Sequence, residues 1–420
     1  PNLDVDLVIE GEGIAFARAL GRQQGATVKA HERFGTAVVI LPDGFKLDVA
    51  TARTEYYEYP TALPTVERSS IKKDLYRRDF TINTLAVRLN ADRFGELIDF
   101  YGGRRDLDEK TIRVLHSLSF VEDPTRVFRA IRFEHRFGFR LGKETLTLIK
   151  GAVKMDLFHR LSGSRLQEEL ILLLSEEEPR EAIARLDELD LLRFVHPSLK
   201  WSPRLATLLK SVEEALGWYK IASLNWVNQT VGAGGARVPV AASGSTGDGL
   251  PPTKVGVGGA SSGPSPTRMD AWLVYFMALM EVIPGKAVGE TLKRLPVPER
   301  HAERIRAAHF SSRSILRQLA KRPPPGPSEV YRVLAGHADE TLLFVIAKTK
   351  LESVRRQVSA YLTAYRHVKP ALTGADLKAL GIKPGPIFKK ILGQLHDARL
   401  NGEIHSEAEE RELVKRIVRS

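Results

Sequence analysis

The run NLDVDLVIEGEG (residues 2–13) decides how the rest of the chain is read. Its aliphatic and β-branched residues predict a strand, and a strand alternates faces, so Asp4 and Asp6 lie on one side of it. Two carboxylates aimed the same way repel unless water or a cation lies between them. Taken alone, the pair reads most simply as a charged edge strand in water. The sharper alternative is a platform for Mg2+, a hard cation that takes oxygen ligands together with substrate phosphates. A third acid favours the platform. Asp48 lies in FKLDVATAR (45–53), a second predicted strand whose Leu47 and Val49 face the opposite side. Acids on two neighbouring strands suit two divalent ions, which activate an attacking hydroxyl and stabilise a departing pyrophosphate.

Around that run, residues 1–116 alternate strand and helix signals. GIAFARALGRQQ predicts a helix, TAVVIL and FKLDVATAR predict strands, SSIKKDLYRRDFTINTLAVRL predicts a helical stretch, and ELIDF and TIRVLH are strand-like. The pattern is that of a small α/β unit with a mixed sheet. Beyond Glu122 the apolar spacing is helical, with helices expected over 129–137, 144–153, 165–174 and 180–192. Residues 230–267 are dominated by Gly, Ser, Pro and Ala, which predicts a flexible insertion between helices. Near the end, LTGADLKALGIKPGPIFKKIL predicts a helix, a tight turn and a second helix, with Gly381 in the left-handed cap and Pro384 at the next helix start. His396–Asp397 reads as a surface pair of that second helix.

The chain has 420 residues, 43% of them hydrophobic, and a formal net charge of +12. It contains no cysteine, which excludes a disulfide framework and a Cys-ligated zinc. No run approaches a membrane span and no basic-then-apolar leader is present, so the expectation is a cytoplasmic protein without a membrane partner. The positive balance favours polyanions, nucleic acid first.

Two further segments carry candidate chemistry. In DLYRRDFTIN (74–83), Arg77, Arg78 and Asp79 crowd one turn and Asn83 follows four residues after Asp79. The arginines suit phosphates, and Asp79 with Asn83 suits a ribose hydroxyl; a solvated helix face is the plainer alternative. In EDPTRVFRAIRF (122–133), Glu122 and Asp123 open a predicted helix with Pro124 in its first turn. Arg126, Arg129 and Arg132 follow at three-residue intervals. An acid and an arginine three residues apart can face the Watson–Crick edge of a base, while helix capping with ordinary ion pairs explains the same residues.

Taken together and in this order, DVD (4–6), DVATAR (48–53), DLYRRDFTIN, DFYGGRRDL (99–107), EDPTRVFRAIRF, LSGSRLQEEL (161–170) and LTGADLKALGIKPGP (372–386) resemble the class II tRNA nucleotidyltransferases and bacterial poly(A) polymerases. The resemblance covers most of the chain except the Gly/Ser/Pro insertion. It implies template-independent addition of nucleotides to RNA 3′ ends. It implies that Asp4, Asp6 and Asp48 hold two Mg2+ ions. Arg78, helped by Arg77, would contact the nucleotide, and Asp79 and Asn83 would recognise the ribose. Asp123 and Arg126 would select ATP or CTP by pairing with the base. Arg129 and Arg132 would be further nucleotide contacts, with Glu122 behind them and Arg165 and Glu169 supporting the base-selecting helix. The implied fold class is α+β: a small mixed-sheet nucleotidyltransferase head (1–116), then an all-helical neck (117–190), body (191–300) and tail (301–420) that grip the acceptor end and elbow of tRNA.

Two departures refine the expectation. The family carries a Gly-Gly-x-Val-Arg-Asp helix before the metal strand, and only Pro1, Asn2 and Leu3 precede Asp4 here. Together with EYYEYPTALPTVERSS (55–70), this resembles the long bacterial members, so upstream domains of the same polypeptide are expected. The loop after Arg53 lacks the arginine-rich character of many CCA-adding relatives and the long insertion of some poly(A) polymerases. The expected activity is therefore AMP addition from ATP, with CC-addition from CTP, full CCA-addition from CTP and ATP, poly(A) synthesis, and a non-catalytic RNA-binding module as alternatives.

Overall fold

A computed structural model describes residues 5–56, 65–232 and 269–419. Asp4 and residues 233–268, which make up nearly all of the expected insertion, lie outside the described residues. The elements are, in order, β1 (Val5–Ile9), α1 (Gly13–Gln24), β2 (Thr27–His31), β3 (Thr36–Ile40), β4 (Lys46–Thr51), β5 (Arg53–Tyr56), β6 (Thr65–Arg68) and α2 (Ile71–Tyr76). Then come β7 (Ala86–Val87), β8 (Leu97–Ile98), α3 (Gly103–Asp108), β9 (Thr111–Ile112), α4 (Ser119–Glu122), α5 (Thr125–Phe137), β10 (Arg140–Leu141), α6 (Lys143–Lys154), α7 (Gly163–Leu174) and α8 (Arg180–Glu188). The remainder is helical: α9 (Pro203–Gly232), α10 (Ala271–Glu281), α11 (Gly285–Arg294), α12 (Glu299–Leu319), α13 (Pro327–Leu334), α14 (Asp339–Lys348), α15 (Glu352–Thr363), α16 (Gly374–Ala379), α17 (Pro386–Leu400) and α18 (Glu407–Arg419). The mixed sheet followed by helices is the α+β class the sequence predicts.

The main sheet has the strand order β1-β4-β3-β2, with β1 parallel to β4 and the other pairs antiparallel. Period-two alternation puts Leu7, Ile9, Leu47 and Val49 on the face covered by α1, where they pack around Ala17, Ala37 and Val39. Asp6 and Asp48 therefore face the other way. The helix lies close on the sheet because Gly13 carries no Cβ: one built there would sit 2.7 Å from the Thr51 hydroxyl. The Gly13 amide donates to that hydroxyl at 3.1 Å, filling one of the unpaired N–H groups of a helix start.

The chain divides into two compact units, 1–201 with Thr291–Val297, and 202–290 with 298–420. In the first, α5 packs against α7 and α8, burying Val127, Phe128, Ile131, Leu166 and Leu170. In the second, α9, α10, α12 and α14 pack on one another, and α10 is buried from Trp272 to Glu281. A separate cluster at the end unites Leu372, Leu377, Ile391, Leu395 and Val414.

Several local expectations change. The helical stretch predicted around DLYRRDFTIN stops at Tyr76; a turn and a short 3₁₀ segment, Thr81–Asn83, follow. The cause is Phe80, which is fully buried and bridges to Val114 in extended conformation. Glu122 ends α4 instead of opening a helix, and Asp123 is extended between α4 and α5. ELIDF and TIRVLH shrink to two-residue strands. Gly381 does take the left-handed conformation (φ 80°), but α17 begins at Pro386, two residues after Pro384. His396 is half-buried against Tyr331 at 4.5 Å between ring centroids, so it is not a surface residue.

Candidate active site

Two neighbouring features of the first unit gather the candidate residues. Parallel pairing of β1 and β4 sets Asp6 directly beside Asp48. Both are exposed, and they line a hollow of about 320 Å³ together with Val8, Val38 and Arg78. Asp4, two residues before Asp6, lies outside the described residues. Paired carboxylates on one face are hard-oxygen donors of the type that Mg2+ takes, so the residues present fit such an ion.

The second feature is a polar cavity of about 570 Å³ between the DLYRRDFTIN turn, α5 and α7. It brings together Arg77, Arg78, Asp79, Asn83, Asp123, Arg126, Arg129, Arg165 and Glu169. Arg78 borders both the cavity and the acid hollow. Its Nη1 donates to the Asn83 carbonyl at 3.1 Å. Glu122 lies behind, with Oε2 3.5 Å from His116 Nε2. Arg132 is buried and points to Glu176, 3.7 Å away. The structure does not place Glu122 or Arg132 in the lining.

Asp79 is held on all sides. Its Oδ1 accepts from the Phe80 amide and from Asn83 Nδ2, both at 2.9 Å. Its Oδ2 accepts from Arg129 Nε at 2.8 Å and Nη2 at 2.6 Å. An ionised carboxylate offers about four lone-pair sites, and these four donors use them. Asp79 and Asn83 are thus paired as the four-residue spacing suggests, but through a turn and not along a helix face.

Asp123 is used more asymmetrically. Its Oδ1 accepts from the Thr125 amide (3.0 Å) and hydroxyl (2.6 Å), and Arg165 Nη2 lies 2.8 Å from the same oxygen. This arrangement ties Oδ1 to Thr125, the first residue of α5, and Asp123 is part of the cavity lining. Arg126 is buried; its Nη1 donates to Ser119 Oγ and its Nη2 to the Arg77 carbonyl, both at 2.8 Å. The base-selecting pair of the sequence reading is therefore clamped by Ser119, Thr125 and Arg165, of which Thr125 and Arg165 also line the cavity.

Charge balance in the cavity follows from burial. Burial raises the Glu169 carboxyl above its usual range, against the pull of Arg129 and Arg132. Burial works to lower the Arg129 guanidinium, but Asp79 and Glu169 outweigh it and hold it above its ordinary value. Burial lowers Arg132 and also His116, which Glu122 opposes.

Sequence reasoning missed Glu55 and Asp74. Asp74 is 1% exposed and accepts from the Arg53 amide at 3.0 Å and from Arg77 Nε and Nη2 at 3.1 and 2.9 Å. Glu55 Oε1 accepts from Arg77 Nη1 at 2.9 Å and from Arg53 Nη2 at 3.0 Å. The three-residue spacing of Asp74 and Arg77 was a legible signal. The Glu55 contact spans 22 residues and had none.

Residues 1–113 match the poly A polymerase head domain family, and residues 138–202 match the family described as a probable RNA- and SrmB-binding site of polymerase A. The chain belongs to the class II tRNA nucleotidyltransferase and poly(A) polymerase family. It is 44% identical over 423 residues to the A-adding tRNA nucleotidyltransferase of Geobacter sulfurreducens, a match that spans 100% of this chain and 43% of that protein. It is 31% identical to the A-adding tRNA nucleotidyltransferase of Halalkalibacterium halodurans, over 97% of this chain and 82% of that one. The chain thus spans less than half the length of the first relative and most of the second. Among solved structures, the Thermotoga maritima CCA-adding enzyme complexed with tRNA superposes with a TM-score of 0.69 at 30% identity, covering 99% of this chain and 87% of that one. A CCA-adding enzyme complexed with ATP gives a TM-score of 0.69 at 29% identity, covering 99% and 85%.

Proposed function

We propose that the protein transfers AMP from ATP to the 3′ end of tRNA, releasing pyrophosphate. The observation that carries this reading is the placement of the Asp6–Asp48 pair and the Asp123–Arg126 cavity on either side of Arg78. A triphosphate bridging the two would have its base among Asp123, Arg126 and Arg165 and its phosphates toward the acids, with Arg77 and Arg78 between. The tRNA-bound and ATP-bound relatives support both substrates, as does the net charge of +12. The same reading puts the reaction in the cytoplasm; among the described residues no helix is long and apolar enough to cross a membrane.

Asp4, Asp6 and Asp48 would hold two Mg2+ ions, which when bound lower the pKa of the 3′-hydroxyl and neutralise charge on the leaving pyrophosphate. The protein's own part is positioning and electrostatics. Asp123 Oδ2 accepts from an exocyclic amino group, and the remaining Arg126 N–H groups donate to ring acceptors. Adenine and cytosine both offer an amino donor next to a ring nitrogen, so these residue types serve either base. The choice of ATP rests on the similarity to A-adding relatives over 97–100% of this chain. Because Asp79 is saturated by its own neighbours, the ribose hydroxyl falls to Asn83 or exchanges with one Arg129 N–H. Arg129 and Glu169 keep the cavity wall in register, and Arg132 and Glu122 act from behind it. The helical second unit would hold the tRNA acceptor end and elbow through its backbone shape and phosphates.

The test replaces Asp6 and Asp48 singly with Ala. Both are exposed, so the fold should be unchanged while AMP incorporation falls by at least about a hundredfold and tRNA binding stays near wild type. Incorporation that survives both substitutions contradicts the assignment.

A further inference from the structure

A row of four rings runs across the first unit outside the cavity. Phe100 meets Tyr101 edge-on at 6.3 Å, Tyr101 lies 5.7 Å from Tyr76, and Tyr76 stacks on His116 at 5.1 Å. His116 Nε2 is 3.5 Å from the carboxylate of Glu122, the residue before Asp123. The row meets the cavity at Tyr76, whose chain neighbour Arg77 is part of the cavity lining. Phe100 and Tyr76 each leave 45% of their surface to solvent, an unusual exposure for large aromatics that already lie side by side. The row is held in place: the Tyr101 hydroxyl donates to the Lys72 carbonyl at 2.7 Å, and the Lys72 ammonium sits 5.8 Å over the Phe100 ring.

Cations flank the Phe100 end of the row. Lys72, Lys73 and Arg104 are exposed. The nearby acids are turned inward: Asp99 accepts from the Gly103 and Arg104 amides at 2.8 and 3.1 Å. Asp106 is fully buried, accepting from Thr81 Oγ1 at 2.7 Å and paired with Arg113 at 3.0 Å. Exposed rings interleaved with outward cations match single-stranded nucleic acid, whose bases stack while its phosphates meet the charges.

We propose that the two exposed rings of this row, Phe100 and Tyr76, backed by Tyr101 and His116, are a stacking surface for the unpaired 3′ nucleotides of an RNA, delivering its end to the Asp123 cavity. The direction of delivery rests on the function proposed above; the stacking itself does not. Arginine and lysine beside the rings fix the strand without reading sequence, and the rings accept any base.

Fluorescence anisotropy with a short single-stranded oligoribonucleotide ending in CC tests this, using an otherwise identical oligonucleotide whose last two positions are abasic. Wild-type protein should bind the base-bearing oligonucleotide about tenfold more tightly than the abasic one. Tyr76→Ala and Phe100→Ala should each erase most of that margin while leaving abasic binding unchanged, and Tyr76→Phe should keep it. A wild-type protein that binds both equally, or alanine variants that retain the margin, overturns the proposal. The comparison within wild-type protein needs no variant to fold. A protein that binds in this way yet transfers no AMP would overturn the function reading and leave the stacking surface standing.

Discussion

Asp74 offers the sharpest check on how the site is held. Replacing it with Ala removes the acceptor for the Arg53 amide and for two N–H groups of Arg77. The carboxylate is 1% exposed, while the Arg77 side chain is 22% exposed and keeps Glu55 at 2.9 Å. A hydrogen bond to a charged group contributes about 1.5–3 kcal/mol, and breaking a buried pair costs about 3–5 kcal/mol. Two of the three lost bonds share one guanidinium that water and Glu55 partly satisfy, so the expected loss for Asp74→Ala is about 3 kcal/mol. Asp74→Asn keeps the shape and one acceptor oxygen and should lose about 1–2 kcal/mol. For a unit of about 200 residues, such a loss in Asp74→Ala lowers Tm by roughly 6–12 °C. Circular-dichroism melts measure it. With Arg77 released, kcat/KM for ATP should fall at least about tenfold in the same variant below its Tm. An alanine variant within about 1 kcal/mol of wild type, or asparagine and alanine variants of equal stability, would refute the idea that Asp74 anchors the nucleotide-facing arginine.

Other predictions follow the same geometry. Arg165→Ala removes a partly buried pair to Asp123 whose side chains are 29% and 18% exposed, so stability should fall by about 1–2 kcal/mol, while kcat/KM for ATP falls about ten- to hundredfold in steady-state incorporation. Asp123→Asn gives the cavity an added donor facing the base's amino group; the preference for ATP over GTP should shrink in competition assays while pyrophosphate release per turnover is unaffected. In the second unit, burial lowers the imidazoles of His301, His309, His337 and His367 below the ordinary value of 6.5. The unfolded chain then binds more protons below pH 6.5, so the stability these groups contribute is present above that pH and lost as pH falls through it. Urea melts at pH 7.5 and 5.5 should show the loss, and His309→Gln should reduce it; equal stability at both pH values contradicts it.

The strand-borne acids were legible because period-two alternation fixes faces without any long-range knowledge. Asp6 and Asp48 needed only the additional fact that β1 and β4 pair in parallel and in register. The alternating strand and helix signals and the ordered motifs likewise carried the α+β class. What the sequence hid was local and competitive. Helical spacing around Arg77, Arg78 and Asp79 competed with the burial of Phe80, and burial won, turning an expected helix face into a tight turn. Asp123 looked like a helix-opening acid; it holds the first residue of α5 from an extended linker and lines the cavity. The clamp by Glu55 and the filling of Asp79 by Arg129 join residues 22 and 50 positions apart, and no periodicity encodes such pairs.

The proposed reaction is AMP transfer to a tRNA whose end is already CC. It is tested most directly by incubating the protein with tRNAs ending before CCA, after C and after CC, each with one labelled triphosphate and Mg2+, and resolving the products at single-nucleotide length. The CC-ended tRNA should gain one A from ATP, and the other two should not be extended. Extension from CTP, repeated A addition to any end, or no incorporation into any of the three would contradict it.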